Sequence, residues 1–315
     1  MNTFLITLGA VAVLLLTAVP GYLFTKTRLI GEECISGFSK VLLFVCQPCL
    51  AIYTFGQVEF SFDKLVSLGV FALLTVLIFA IVLGASYLVL YKRQKEAIYR
   101  IITIATTFSN SAFFGIPIIE ALFPDTSDEL IIYTTIFALV MNVVGWTVGS
   151  AIISRNAKHI SVKKIFLNPP MIGTVIALIL FVFEVRIGSL FPSLFDMITT
   201  AARMSSPLSM IILGMRLGTM RLSRLFTDFR IYLTIAVKQI AMPLVALGLV
   251  LLIPVPREVA VTFFVISATP SASIVLNFSE ILGEGQKEAA NTVLLSTILT
   301  VLTVPLMMLF LPLIN

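Results

Sequence analysis

Ten stretches of the chain are apolar for about twenty residues or more, each bounded by charged residues or by Pro and Gly. They run from about 3 to 25, 34 to 55, 65 to 91, 98 to 123, 129 to 153, 169 to 191, 195 to 218, 229 to 253, 257 to 282 and 287 to 313. A helix needs about 20 apolar residues to cross the hydrocarbon core of a bilayer, where each backbone N–H and C=O must find a partner inside the protein. The pattern predicts an all-α integral membrane protein with ten transmembrane helices. The connections are short, so no room remains for a soluble catalytic domain.

Composition excludes the alternatives. Of 315 residues, 59% are hydrophobic and 12% charged, against about 45–50% and 25% for soluble domains. Disorder requires low hydrophobicity and high net charge, and the mean hydropathy here is +1.09. The net charge of +5 gives no basic face or arm for nucleic acid, because the Lys and Arg residues fall in short clusters between apolar runs. Cys46 and Cys49 form a C-x-x-C pair, but it lies in an apolar run around Pro48. With Cys34 they read as small packing residues and not as a redox or metal site. The first stretch lacks a positive leading segment and is followed by Lys26 and Arg28, so it reads as a retained span.

Cytoplasmic loops keep positive charge. Sixteen of the 21 Lys and Arg residues follow spans 1, 3, 5, 7 and 9, including Lys158, Lys163, Lys164, Arg216, Arg221 and Arg224, whereas the opposite loops hold Lys64, Arg186 and Arg257. Both termini are therefore expected outside the cytoplasm. Arg203 and Lys238 belong to no loop.

Sliding the chain against itself by about 160 residues exposes a repeat. Span 5 falls on span 10, Pro48 on Pro207, and NSAFFGIPIIEAL from Asn110 on PSASIVLNFSEIL from Pro270. Five is an odd number of spans, so the two halves, 1–155 and 169–315, are expected to be inverted in the membrane and joined by a cytoplasmic linker, 156–168. Inverted repeats are an architecture of secondary transporters, with the site near the midplane where discontinuous helices meet.

Spans 4 and 9 are the expected broken, crossing helices. Span 4 carries Ser109, Asn110, Ser111, Gly115 and Pro117, and span 9 carries Thr269, Pro270, Ser271, Ser273 and Asn277. Pro117 and Pro270 remove N–H donors, which frees the carbonyls of Phe113 and Ile266, and Gly115 permits unwinding. An anion is favoured at half-helix N-termini and a cation at freed carbonyls. Pro kinks with Ser and Thr re-satisfying the backbone are the plainer reading of either span alone. Corresponding breaks in both halves favour a transport site.

SNSAFFGIPII of span 4 resembles the crossover motif of the auxin efflux carrier family, which includes plant exporters and bacterial permeases for small carboxylates, and TPSA of span 9 resembles the second crossover. The resemblance covers essentially the whole chain, although the long central hydrophilic loop of the plant proteins is missing. It implies a scaffold of spans 1, 2, 6 and 7, a mobile unit of spans 3 to 5 and 8 to 10, and a substrate role for Asn110, Pro117 and Pro270.

Arg203 and Lys238 lie deep enough to attract a carboxylate, with snorkelling or ion pairing to Glu184 or Glu120 as the alternative. Asn142 and Gln47 are deep amides that complete the candidate pocket or join helices. The candidate substrate set is thus Gln47, Asn110, Ser111, Gly115, Pro117, Asn142, Arg203, Lys238, Pro270, Ser271, Ser273 and Asn277. No cofactor or metal is expected. The single histidine, His159, is in a loop and no Asp pair lies within a span, which argues against an intramembrane enzyme. The expectation is a carrier of a small organic anion, a mono- or dicarboxylate such as malate, malonate or an auxin-like acid, in the cell membrane. A receptor or scaffold that binds without flux is the alternative. No acidic cluster marks a proton relay. Sodium needs only oxygens, so the coupling cation stays open between sodium, a proton and none, as does a homodimer.

Overall fold

A computed structural model describes residues 3–156, 167–220 and 226–314. Among these are thirteen helices: α1 (Thr3–Lys26), α2 (Cys34–Gly56), α3 (Phe62–Arg93), α4 (Ala97–Ala105), α5 (Ser111–Leu122), α6 (Ser127–Ser154), α7 (Pro169–Val182), α8 (Pro192–Arg203), α9 (Ser205–Thr219), α10 (Phe229–Leu252), α11 (Arg257–Ala268), α12 (Ile274–Leu282) and α13 (Gln286–Leu313). A single turn, Ile187–Leu190, precedes α8. Six of them (α1, α2, α3, α6, α10 and α13) are long and apolar enough to cross a bilayer alone. The helices fall on the ten apolar stretches. Spans 4 and 9 are each split in two, and span 7 is divided at Met204. The linker with Lys158, His159, Lys163 and Lys164, and the loop with Arg221 and Arg224, lie outside the described residues.

Local chemistry accounts for many of the boundaries. Ser61, extended at φ −145°, caps α3 by accepting from the N–H of Lys64, and Asp63 adds an acid to the first turn. Gly283 and Gly285, at φ +71° and +63°, turn the chain between α12 and α13. Three π turns, Leu42–Cys46, Ser111–Gly115 and Val237–Ala241, are each followed at the second residue by proline: Pro48, Pro117 and Pro243. A proline ring crowds the carbonyl four residues earlier, and the wider π turn absorbs that conflict without ending the helix.

Lipid tails are as apolar as leucine, so helices in a bilayer associate through close packing. The contact of α1 with α9 is made by small residues: a Cβ on Gly21 would strike the Ile211 carbonyl, one on Gly214 the Ala18 carbonyl, and one on Gly218 the Thr25 side chain. Gly173 of α7 lies against Pro48 of α2 in the same way. The α3–α6–α11 contact is aromatic instead. Phe71 packs against Tyr133 and Phe263, and Phe79 against Phe108 and Phe137, with ring centroids 5.0–5.7 Å apart. Outward-facing Leu16, Leu73, Val89 and Leu252 are well exposed, as a lipid-facing surface requires.

Candidate functional site

The segments that break spans 4 and 9 are hydrogen-bonded to each other. Ser109 and Ser271 form an antiparallel bridge. The N–H of Asn110 donates to the carbonyl of Pro270 at 2.9 Å, and the N–H of Ala272 to that of Phe108 at 2.9 Å. Ser271 Oγ donates to the Ala105 carbonyl at 2.8 Å. Unwound backbone is tolerated at membrane depth only when its polar groups are satisfied in this way, so each break supplies the other's partners.

Against this junction lies a cavity of about 190 Å³. Ser109 to Phe113 and Ala272 to Ile274 form one wall, α2 contributes Gln47, α6 contributes Asn142 and Trp146, and α9 contributes Arg216. The N-terminal residues of α5 and α12 therefore face it. No Asp or Glu is among the described lining residues.

The candidate residues separate into three groups. Gln47, Asn110, Ser111, Asn142, Ser273 and Asn277 line the cavity. Gly115, Pro117, Pro270 and Ser271 do not. Pro270 and Ser271 lie in the break of span 9, whereas span 4 breaks at Thr106–Asn110, ahead of Gly115 and Pro117. These two stay inside α5 because the π turn Ser111–Gly115 accommodates the proline, with Gly115 facing Ile266 and Thr269. Arg203 and Lys238 do not line it either. Arg203 is exposed at the end of α8, beside Tyr53, because span 7 divides there. Lys238 is fully enclosed, and its Nζ donates to the carbonyls of Ser267 and Thr269 at 2.8 and 2.9 Å.

The freed carbonyls also differ from expectation. Ser206 of α9 donates its hydroxyl to the Phe113 carbonyl at 2.7 Å, and Thr269 donates its hydroxyl to that of Ile266 at 2.7 Å. Neither is left for a ligand, since a neighbouring hydroxyl replaces each proline's missing donor. The unpaired buried groups are donors instead: Asn110 Nδ2 and Ser109 Oγ have no hydrogen-bond partner, although buried polar groups nearly always have one. Glu184, at the end of span 6, sits at φ +54° in the turn after α7 and not inside a helix.

Two residues were missed. Arg216, counted with the loop charges, is the cation among the described lining residues, and its Nη1 donates to Glu280 of α12 at 2.8 Å. Asn168, placed in the linker, lies beside the cavity and donates its Nδ2 to Asn142 Oδ1 at 2.9 Å. Asn before Pro169–Pro170 is a helix-start signal that pointed to Asn168; no sequence signal separated Arg216 from its loop neighbours.

Among the described residues, thirteen helices, six of them long and apolar, and a mainly apolar cavity with polar side chains at paired helix breaks define a multi-pass membrane protein. The membrane transport protein family model matches residues 6–308. The chain belongs to this family, the auxin efflux carrier family, whose members are membrane transporters of small molecules and not enzymes. No curated protein matches the chain.

Proposed function

We propose that the chain is a secondary carrier that moves a small organic anion, a mono- or dicarboxylate such as malate, malonate or an auxin-like acid, across the cell membrane by alternating access. The observation that carries this reading is the cavity lining: two half-helix N-termini, the unpaired donors of Ser109 and Asn110, one arginine, which is paired with Glu280 of α12 outside the lining, and no carboxylate among the described lining residues. Helix N-termini and free N–H and O–H donors favour negative charge. Asn110 and the surrounding backbone hold the carboxylate, and Arg216 takes the role first assigned to Arg203 or Lys238.

We read residues 1–155 and 169–315 as inverted five-helix repeats. Asn110 bonds to Pro270, the position 160 residues on at which the halves align, and equivalent positions touch only near a pseudo-two-fold axis. The scaffold is α1, α2 and α7–α9, and the moving unit is α3–α6 and α10–α13. The packing of α9 on α1 and of α7 and α8 on α2 supports this division, as does the position of the cavity between the two groups. The cavity reaches Ser39, Asn168, Arg216 and Ile281, at helix ends next to the positive loops. That supports an inward-facing state with both termini outside.

The test is uptake of labelled malate and malonate into proteoliposomes by the parent and by Asn110→Ala. A hydrogen bond to a charged group contributes about 1.5–3 kcal/mol, so uptake at low substrate should fall roughly ten- to hundredfold. Undiminished uptake would remove Asn110 from the site. Binding without flux would replace the carrier reading with a receptor.

A further inference from the structure

Lys238 is 0% exposed, and so is its neighbour Gln239. Two successive residues on a regular helix point in different directions, but these occupy the π turn Val237–Ala241 of α10, ahead of Pro243. Its wider winding lets both face inward. Lys238 Nζ donates to the carbonyls of Ser267 and Thr269, at the C-terminal end of α11 where the helix breaks. Gln239 Nε2 donates to the Ser296 carbonyl at 2.7 Å, and Ser296 Oγ accepts from the N–H of Ser271 at 3.2 Å. The π turn thus braces the unwound segment on both sides of Pro270.

Carbonyl oxygens at a helix C-terminus carry partial negative charge. In broken-helix carriers such carbonyls are where a coupled sodium ion or proton is held. Here the position is filled from the chain itself: the partners of Lys238 are two backbone carbonyls and not a carboxylate. Lys238 does not line the cavity, whereas Ala272 and Ser273 of the same broken span do.

We propose that Lys238 is the resident cation of the broken-helix core, in the place of a coupled ion, so that anion transport proceeds without sodium. This rests on the anion-carrier reading and goes beyond it by naming the coupling.

The experiment compares thermal unfolding of the purified protein in sodium chloride and in choline chloride at equal ionic strength, for the parent and for Lys238→Ser, which vacates the position but leaves a hydroxyl. The parent midpoint should be the same in both salts, and Lys238→Ser should show a lower midpoint that sodium specifically raises. A sodium-specific rise in the parent, or a Lys238→Ser midpoint indifferent to sodium, would overturn the proposal. A second measurement needs no variant: malonate uptake by the parent should change less than twofold when choline replaces sodium, and a tenfold loss would also overturn it. If no carboxylate is taken up in either salt, the substrate reading fails, while the unfolding comparison still decides the role of Lys238.

Discussion

Ser206 and Pro117 should be energetically coupled although they sit on different helices. Pro117 has no N–H, and the Phe113 carbonyl that it leaves unpaired accepts the Ser206 hydroxyl at 2.7 Å in a half-buried position. Ser206→Ala strands that carbonyl. Leaving a buried acceptor unpaired costs about 1–3 kcal/mol, and half-burial puts this one near the lower end, at about 1–1.5 kcal/mol. Pro117→Ala restores an N–H inside α5 that can take up the same carbonyl, so in that background Ser206→Ala should cost about 0.5 kcal/mol or less. The cycle therefore predicts a coupling energy of about 1 kcal/mol, read by denaturant unfolding of the four purified proteins in detergent. Additivity within about 0.3 kcal/mol would refute the reasoning. The bond ties α9 to α5, so in a carrier whose moving unit includes α5, Ser206→Ala should also alter the transport rate.

Three further outcomes follow from the geometry. Gly214→Ala drives a methyl into the Ala18 carbonyl and should destabilise by about 1–3 kcal/mol, whereas Gly9→Ala, which meets nothing within 4 Å, should change thermal stability by less than about 0.5 kcal/mol. Arg216→Gln should weaken dicarboxylate affinity about tenfold at low salt, with Arg203→Gln changing it less than twofold; isothermal titration checks the order, and the reverse would move the anion site towards α8. At the start of α10, hydrogen bonds from the Arg230 side chain, and secondarily from its N–H, hold the Asp228 carboxyl below the usual carboxylate range. A carboxylate with a depressed folded pKa stabilises fully above its unfolded value of about 3.9 and loses that effect as pH falls through the folded value. Asp228→Asn should thus unfold at a lower temperature than the parent at pH 7, and the gap should close below about pH 4.

The membrane class and the helix positions were legible because both follow from one-dimensional quantities. The length of an apolar run sets whether it can span, and the polar clusters around Asn110 and Pro270 mark where spans 4 and 9 break, at Thr106–Asn110 and Thr269–Ser273, whereas Gly115 and Pro117 lie inside α5, where a π turn carries the helix past the proline. The family was legible in the same residues. Six of the twelve candidate site residues line the cavity, and these come from segments whose polarity stands out against an apolar background.

Tertiary structure decided the rest. Which groups at a break remain unpaired depends on what neighbouring helices donate: Ser206 and Thr269 take the carbonyls that the prolines freed, and Asn110 Nδ2 is left without a partner. The roles of the cations were likewise set by packing. Depth along the sequence singled out Arg203 and Lys238, yet the division of span 7 exposes the first, and a π turn ahead of Pro243 directs the second to α11. Arg216, one among many loop charges by position, reaches the cavity because α9 packs against α1 with Gly214 and Gly218 at the contact. A sequence records how far along a helix a charge lies, but the direction in which it points is fixed only when the helix is turned against its neighbours.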